Sequence, residues 1–572
     1  TIEAYGTQLA FGPENRPTTN RDIVLWDQRG TLYSKPALFC PESSQQQTDS
    51  AQSPKSAADA DADSSAAYRA CGQRLAKEAG DLSAFNSAEN ADDVEALRVA
   101  LGYEAINFYG VSYGTELGQF LMRQRPEHLR SVILDAVVPL GYNLFIEPAF
   151  AQQRIGEKYL LGCAAEPTCD AAFPNLARRY LALIDRLNAT PVTVQVTASD
   201  EDATRTPVEL TGDVLEDTLY SALYMNVHDL IPLIIDRADR GDFTFVATYL
   251  LPLSMSDETI ADGMHYSVIC ADGGDTSLDG VEFPGVLPRI AKNTRDEAQA
   301  ELQICRDWKI ELLPRQALEP VATAIPTLLL SGDFDPITPP HYAASPLPHL
   351  SRATHVIFPR GAHGQVAVSA CGNAISRAFL DNPSAAPDSS CVKVAVPAFA
   401  TDRDVVFMHA ARNVMAVQGL SGLRFLVVFA IPAVVCAGLL LTAVPVYPIG
   451  FLVRRHTSQM ASSGFARIVS RSAPWLAVVA ASTLVLFLVG SWLALGSTMR
   501  TNEKLLAMAA LPARWSWLFA LPSLVAVLAV LMVIAAVVIW WSRQRSLAGR
   551  LYFTVLTLAA VVAAVDIVLI GR

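Results

Sequence analysis

Ala105-Ile-Asn-Phe-Tyr-Gly110-Val-Ser112-Tyr-Gly114-Thr115 is the stretch on which the reading of this chain turns. The apolar run from Ile106 to Val111 reads as a buried strand. It ends in Gly110-Val111-Ser112-Tyr113-Gly114, a G-x-S-x-G pattern, and Thr115 to Arg123 then carries apolar residues at helical spacing. Strand, sharp turn and helix in that order are the context of a nucleophile elbow. The serine of such an elbow occupies a strained turn, and side chains at positions 110 and 114 are expected to collide with the neighbouring strand and helix. The turn lifts the Ser112 hydroxyl off the sheet at the positive end of the helix. The backbone N–H of Tyr113 then points to where an oxyanion would form.

Working outward, the chain has 572 residues, too many for one core, so at least two units are expected. Residues 1 to about 420 have the composition of a soluble acidic protein, and the last 150 or so are intensely apolar. A net charge of −12 argues against nucleic acid as a partner. Of nine cysteines, eight precede residue 400 and the ninth, Cys436, lies in an apolar segment. Eight cysteines in a domain joined to membrane helices suggest disulfides and an oxidising compartment. Proximity favours Cys40 with Cys71, Cys163 with Cys169, Cys270 with Cys305 and Cys371 with Cys391; the alternative is buried free thiols. The spacing characteristic of zinc ligands is missing, so no metal is expected.

Before the elbow, Asp22 to Asp27 reads as a strand that ends in the turn Asp27-Gln28-Arg29-Gly30. Residues 42–68, rich in Ser, Gln, Ala and Asp, read as a solvated or disordered loop. Ser87 to Gly102 is a helix with acidic residues in its first turns and a glycine stop. After the elbow comes a strand at Ser131 to Asp135, which completes a strand–helix alternation typical of a parallel α/β sheet. Residues 141–320 are mostly helical, with a short β exception at 191–197, and read as a cap inserted over the sheet. Strands resume at Pro326 to Gly332 and at Thr354 to Pro359. The chain begins at Thr1, about twenty residues before a strand expected inside the sheet, and that start reads as processed or incomplete.

Four apolar segments close the chain, at about 425–447, 475–497, 517–541 and 551–570. Each is long enough to cross a hydrocarbon core of about 30 Å. Trp475, Trp492, Trp515, Trp517, Trp540 and Trp541 sit near their ends, as an interfacial belt would. The first and third connecting loops carry seven basic residues against three in the second. The excess places those two loops in the cytoplasm and residues 1–420 outside, in agreement with the cysteines. Asp566, near the outer end of the last segment, is given no role.

A serine hydroxyl needs a base to take its proton and an acid to orient that base. Among nine histidines, His363 follows a strand in a glycine-bracketed loop, Pro359-Arg-Gly-Ala-His-Gly364, ahead of a helix. His128, His341, His265 and His355 have no such setting. Three residues compete for the acid. Asp335 lies in Gly332-Asp-Phe-Asp-Pro-Ile-Thr-Pro339, 28 residues before His363; Asp333 is two residues earlier, and Asp135 follows the preceding strand. Asp335 is favoured, with capping of a turn or helix as the ordinary reading of the other two.

Asp27-Gln-Arg-Gly30, Tyr109-Gly-Val-Ser-Tyr-Gly-Thr115, Gly332-Asp-Phe-Asp-Pro-Ile-Thr-Pro339 and Gly361-Ala-His-Gly364 together resemble the prolyl aminopeptidase and tripeptidyl aminopeptidase family of α/β-hydrolases. Ile269-Cys-Ala-Asp272, Cys305-Arg-Asp-Trp308 and the Cys371 to Cys391 tail resemble its tripeptidyl (TAP-like) branch. The resemblance covers roughly residues 20–395. It implies an α/β-hydrolase fold with an inserted helical cap and a serine exopeptidase acting on free N-termini. Ser112 becomes the nucleophile, Asp335 the acid and His363 the base, with Tyr113 as an oxyanion donor and no metal or organic cofactor. Two departures stand out. Gly30-Thr-Leu-Tyr-Ser34 replaces the usual glycine-rich continuation, and no His-Gly-Gly-Pro-Gly-like loop precedes Asp27. The four apolar segments are additional to the common pattern.

The resulting expectation is a hydrolase core in residues 1–140 and 321–400, a cap in 141–320, a juxtamembrane linker in 401–422 and an all-α four-helix transmembrane region in 423–572. Its partners are a peptide with a free N-terminus and the lipid bilayer, on the extracytoplasmic side of the cell membrane. An exopeptidase needs carboxylates for the substrate α-ammonium, and Asp272 and Asp275 are weak candidates beside an ordinary solvated loop. An esterase or lipase on the same triad, and a non-catalytic membrane protein that keeps the hydrolase shell, are the alternatives.

Overall fold

Four parallel strands form the main sheet. In the computed structural model they are β1 (Ile106–Val111), β2 (Leu129–Asp135), β5 (Thr327–Gly332) and β6 (Ala353–Phe358), in the sheet order β1-β2-β5-β6. The structure describes residues 20–52, 57–197, 205–223, 227–252, 261–273, 276–393, 398–407, 431–454, 464–501, 505, 510–543 and 545–571. The chain divides into two compact units: residues 1–194, 206–246 and 253–399 form one, and residues 195–205, 247–252 and 400–572 the other.

In the first unit, the register sets Val111 opposite Asp135, Asp135 opposite Leu330, and Gly332 opposite Phe358. The C-terminal ends of all four strands therefore share one edge of the sheet. β2 is buried along almost its whole length and β5 along all of it, as central parallel strands covered on both faces must be. The elbow helix Tyr113–Gln124 buries Leu117, Phe120, Leu121 and Met122 against Phe108, Val132 and Leu134. Gly118 permits this close approach, since a Cβ there would lie 2.9 Å from the Phe108 ring. The helix Ser87–Leu101 forms as expected. Asn86 accepts from the Glu89 N–H at its start, and Gly102, at φ +77°, ends it.

Two expectations in this unit change. Asp22 to Asp27 runs alongside the sheet with Trp26 packed 6.3 Å from Phe108, but it forms no ladder among the described residues. The described parts of 42–68 are not loop: Pro41–Gln52 and Ala57–Glu78 are helices. The second continues past the polar stretch to place Cys71 and Leu75 in an apolar cluster with Leu38, Met264 and Trp308. Gly72 lies flat against Trp308, whose indole N–H donates to the Tyr68 carbonyl at 3.0 Å. Tertiary packing of one short apolar edge overrides a disorder-like composition.

The inserted region contains helices Glu147–Ala165, Pro167–Ala172, Leu176–Ala189, Gly212–Ala222, Ile231–Asp239, Asp262–Gly273 and Pro288–Trp308. Two short strands, β3 (Val192–Thr197) and β4 (Arg205–Leu210), interrupt them. Four cysteine pairs are bridged: Cys40 to Cys71, Cys163 to Cys169, Cys270 to Cys305 and Cys371 to Cys391, with Cα separations of 5.4, 5.1, 5.3 and 5.9 Å. Cys436 is buried and free.

The second unit holds four helical stretches long and apolar enough to cross a membrane: Ile431–Gly450, Phe465–Arg500, Ala513–Ser542 and Leu547–Asp566. The first is broken at Thr442 into Ile431–Leu441 and Ala443–Arg454. Residues 425–430 of the expected first segment lie outside the described residues, and Arg467 and Arg471, expected in a loop, belong to the second helix. A feature unforeseen in the 401–422 linker is β7 (Val405–Phe407), which pairs antiparallel with β8 (Ala510–Pro512).

Candidate active site

Ser112 follows β1 at φ +55°, ψ −126°, a conformation that costs an L-residue roughly 1–3 kcal/mol and persists only when its surroundings impose it. They do so at three points. The Ser112 N–H donates to the Asp135 carbonyl at 3.0 Å, and the Thr115 N–H and hydroxyl both donate to the Ser112 carbonyl, at 2.8 and 2.7 Å. The fully buried Thr115 hydroxyl in turn accepts from the Val138 N–H at 2.8 Å. A Cβ on Gly110 would fall 2.0 Å from the Gly114 carbonyl oxygen, so the turn cannot close with any other residue at 110. Position 114 differs from expectation: a Cβ there meets open space, because the clash belongs to its partner glycine. The Tyr113 N–H is in the first helical turn, where backbone donors have no intrahelical acceptor.

Asp335 and His363 come from the loops after β5 and β6. A Cβ on Gly332 would lie 2.2 Å from the Ala362 carbonyl oxygen, so this glycine allows the acid loop to press against the base loop. The Phe334 N–H donates to the Gly361 carbonyl at 2.8 Å and joins the two. His363 Nδ1 then lies 2.9 and 3.0 Å from the carboxylate oxygens of Asp335. Asp335 is 1% exposed and accepts three more hydrogen bonds, from the Ile337 and Thr338 N–H groups at 2.9 Å and from the Thr338 hydroxyl at 2.8 Å. Burial alone would lower the basicity of the imidazole. The Asp335 carboxylate, with Asp135 adding to it, outweighs burial and holds His363 above its ordinary pKa of 6.5.

The competing carboxylates have other partners. Asp333 turns outward to Arg154 and Lys158, at 3.0 and 2.7 Å. Asp135, wholly buried, accepts the Gln365 and Val366 N–H groups at 2.7 and 2.8 Å and the Tyr109 hydroxyl at 3.2 Å. Burial pushes its carboxyl up to about 6, against the pull of those backbone donors. It thus pins the segment just after the base. Gly364 lies against Val111, where a Cβ would be 3.1 Å from the valine methyl, and this brings the base loop beside the elbow.

Asp272, expected at a substrate amine, is buried. It sits inside, 6% exposed, where it accepts the Ser87 hydroxyl at 2.7 Å, and Ser87 lies 3.0 Å from the Tyr113 hydroxyl. Burial raises its carboxyl to about 7, and burial beside Asp272 raises that of Glu116 as well. Asp275 lies outside the described residues. Sequence reading missed Thr338, Thr115 and the positioning role of Asp135. The first sits inside a motif already in view, whereas the other two act through backbone groups distant in sequence.

A parallel sheet, a strained serine at a strand–helix turn, and an Asp–His pair on the next two strand ends define an α/β-hydrolase. A family described as TAP-like protein matches residues 291–391. The chain is similar to the putative hydrolase YuaR of Escherichia coli K12, 21% identical over 56% of this chain and 64% of that protein. It is 24% identical to the serine protease Hip1 of Mycobacterium tuberculosis H37Rv, again over 56% of this chain and 64% of that one. A tripeptidyl aminopeptidase of Streptomyces lividans is 32% identical over 20% of this chain and 22% of its own. The match thus spans under two thirds of the length of the first two relatives. The fold is that of an α/β-hydrolase, and residues 291–391 are similar to the TAP-like family.

Proposed function

We propose that the protein is a serine peptidase of aminopeptidase type, anchored in a membrane by its four apolar helices and acting on its extracytoplasmic side. The observation that carries the reading is the strained Ser112 at the elbow, with the loop of the buried His363–Asp335 pair packed against Val111 through Gly364. Ser112 Oγ attacks the peptide carbonyl while His363 Nε2 takes its proton. Asp335 accepts from Nδ1–H and stabilises the imidazolium, and the Tyr113 N–H donates to the oxyanion. His363 returns the proton to the leaving amine, and water then releases the acyl group. The peptidase names of two relatives support an amide substrate with a free N-terminus. The four disulfides and the excess of basic residues in and flanking the first and third inter-helix connections support the sidedness. Pairing of β7 with β8 keeps residues 405–407 and 510–512 on one side of the membrane, as the two crossings between them allow.

Labelling by a fluorophosphonate probe in membranes, beside Ser112→Ala, tests the nucleophile; equal labelling of both would defeat the assignment. An aminoacyl-anilide and a short-chain nitrophenyl ester then separate peptidase from esterase. Turnover of the ester alone would replace the peptidase reading.

A further inference from the structure

Phe334, flanked by Asp333 and the catalytic Asp335, is 5% exposed and forms the centre of a stack that joins three segments of the chain. From the acid loop, its N–H holds the base loop at Gly361. From the base loop, Arg360 stands at φ +52°, so its backbone is held in a conformation rare for arginine. Its guanidinium lies 4.1 Å from the ring centroid of Phe399 and 6.0 Å from that of Phe334, and it donates to Glu166 at 2.6 Å. From the third segment, Phe399 is 2% exposed, with its ring 6.2 Å from Phe334 and against Gly162, where a Cβ would be 3.3 Å away. Phe399 lies beyond the family match, which stops at 391, and the chain passes from it into the unit of apolar helices at Ala400.

A residue serving only as a link to membrane helices has no need of an aromatic ring packed under both catalytic loops. We propose that Phe399 is a positioning residue for the Asp335–His363 pair, so that the lead-in to the membrane helices belongs to the catalytic apparatus. The inference rests on the serine hydrolase reading above. The ring fills the space beneath Phe334 and presents its face to Arg360, the residue three positions before the base. Removing it frees Phe334 and Arg360 together and loosens the contact between Asp335 and His363.

Asp335 and Asp135 are the carboxylates that raise the titration of His363. Around the stack stand Lys158 over Phe334, Glu166 on Arg360, and His228 and Tyr159 against the Phe334 ring. Lys158 is itself paired with Asp333, so the charge set beside the pair is unchanged by substitution at 399. A looser pair gives His363 less of Asp335's support, and burial then moves its titration to lower pH.

The test is the rate of fluorophosphonate labelling of the full-length chain in membranes, measured across pH. Phe399→Ala is expected to lower the plateau rate roughly 10- to 100-fold, as small misplacements of catalytic groups do. It should also move the acid midpoint to lower pH, while Phe399→Trp or Phe399→Tyr restores both. Phe173→Ala, an equally buried ring in the cap, should lower thermal stability and leave the midpoint in place. Should Phe399→Ala fail to fold, Phe399→Leu keeps most of the volume and every charge but removes the ring face from Arg360, and should shift the midpoint in the same direction. A Phe399→Ala protein with unchanged rate and midpoint would overturn the inference; so would a rate loss with a fixed midpoint, which is what a merely structural ring would give. Absence of labelling in the unsubstituted chain would overturn the hydrolase reading and this inference with it.

Discussion

The two units of this chain bury opposite kinds of surface. Beneath the catalytic edge the core is made of large side chains such as Phe108, Phe120, Leu134 and Ile133, and it also takes in polar groups, Asp135, Thr115 and Asp335 among them. In the helical unit the buried residues are mostly small: Ala473, Ala477, Ala480, Ala481, Ala559, Ala560 and Ala563. Many of its large residues point outward, with Trp541 at 85%, Trp492 at 72% and Val537 at 64% exposure, while Phe553, Met532 and Leu556 are buried among the alanines. The difference is the one expected if the first unit folds in water and the helical unit, as proposed, in lipid. In water, burying large apolar groups drives folding at about 25 cal/mol per Å². In lipid that gain vanishes, and helices associate by close approach of small residues. Polar groups are affordable in the first core because secondary structure and designed partners satisfy them.

The strongest way to break the comparison is at the elbow. Ser112→Ala should abolish labelling and turnover, a loss of at least about a thousandfold, while leaving thermal unfolding near that of the parent. Asp335→Asn should cost on the order of 10³- to 10⁴-fold in turnover, since it removes the charge behind His363 without altering volume. Removing the Cys270–Cys305 bridge by Cys270→Ser should destabilise the hydrolase unit by about 2–5 kcal/mol, read as a lower unfolding temperature. On the other side of the comparison, Ala480→Leu overfills the helical core and should cost about 1–3 kcal/mol in detergent, with the labelling rate of the folded protein unchanged; Val537→Leu, facing outward, should do neither.

A smaller effect concerns pH. His363 titrates above 6.5, so labelling should fall as pH drops through that raised value, where the base becomes protonated. Stability moves the other way. A histidine whose folded pKa exceeds its unfolded one contributes fully below about 6.5 and loses that contribution as pH rises through the folded value. Activity and the His363-dependent part of stability should therefore cross in one window, and a His363→Gln protein should lose the stability slope there.

The elbow, the base loop, the four apolar segments and the nearest-neighbour cysteine pairs are legible in the sequence because each is a contiguous pattern. A G-x-S-x-G between strand and helix, a glycine-bracketed histidine, twenty apolar residues in a row and short cysteine loops need no distant partner to be recognised. Asp335 was favoured from its loop and its spacing to His363, but the partners of Asp135 and Asp333, which also stand at strand ends, were not legible. Only folding sends Asp333 to Arg154 and Lys158, Asp135 to the backbone of 365–366, and Asp335 to the imidazole. The helix Ala57–Glu78 was hidden behind its Ala- and Asp-rich start, since its anchors, Cys71 and Leu75, gain meaning only against Trp308 and Leu38. Likewise β7 and β8 are three residues each, too short to carry a period, and exist through a pairing across about a hundred residues. Local periodicity and turn chemistry are written in neighbouring residues; the partner of a buried charge, a short strand or an aromatic ring such as Phe399 is decided by the packed chain, because its energy comes from groups that sequence keeps far apart.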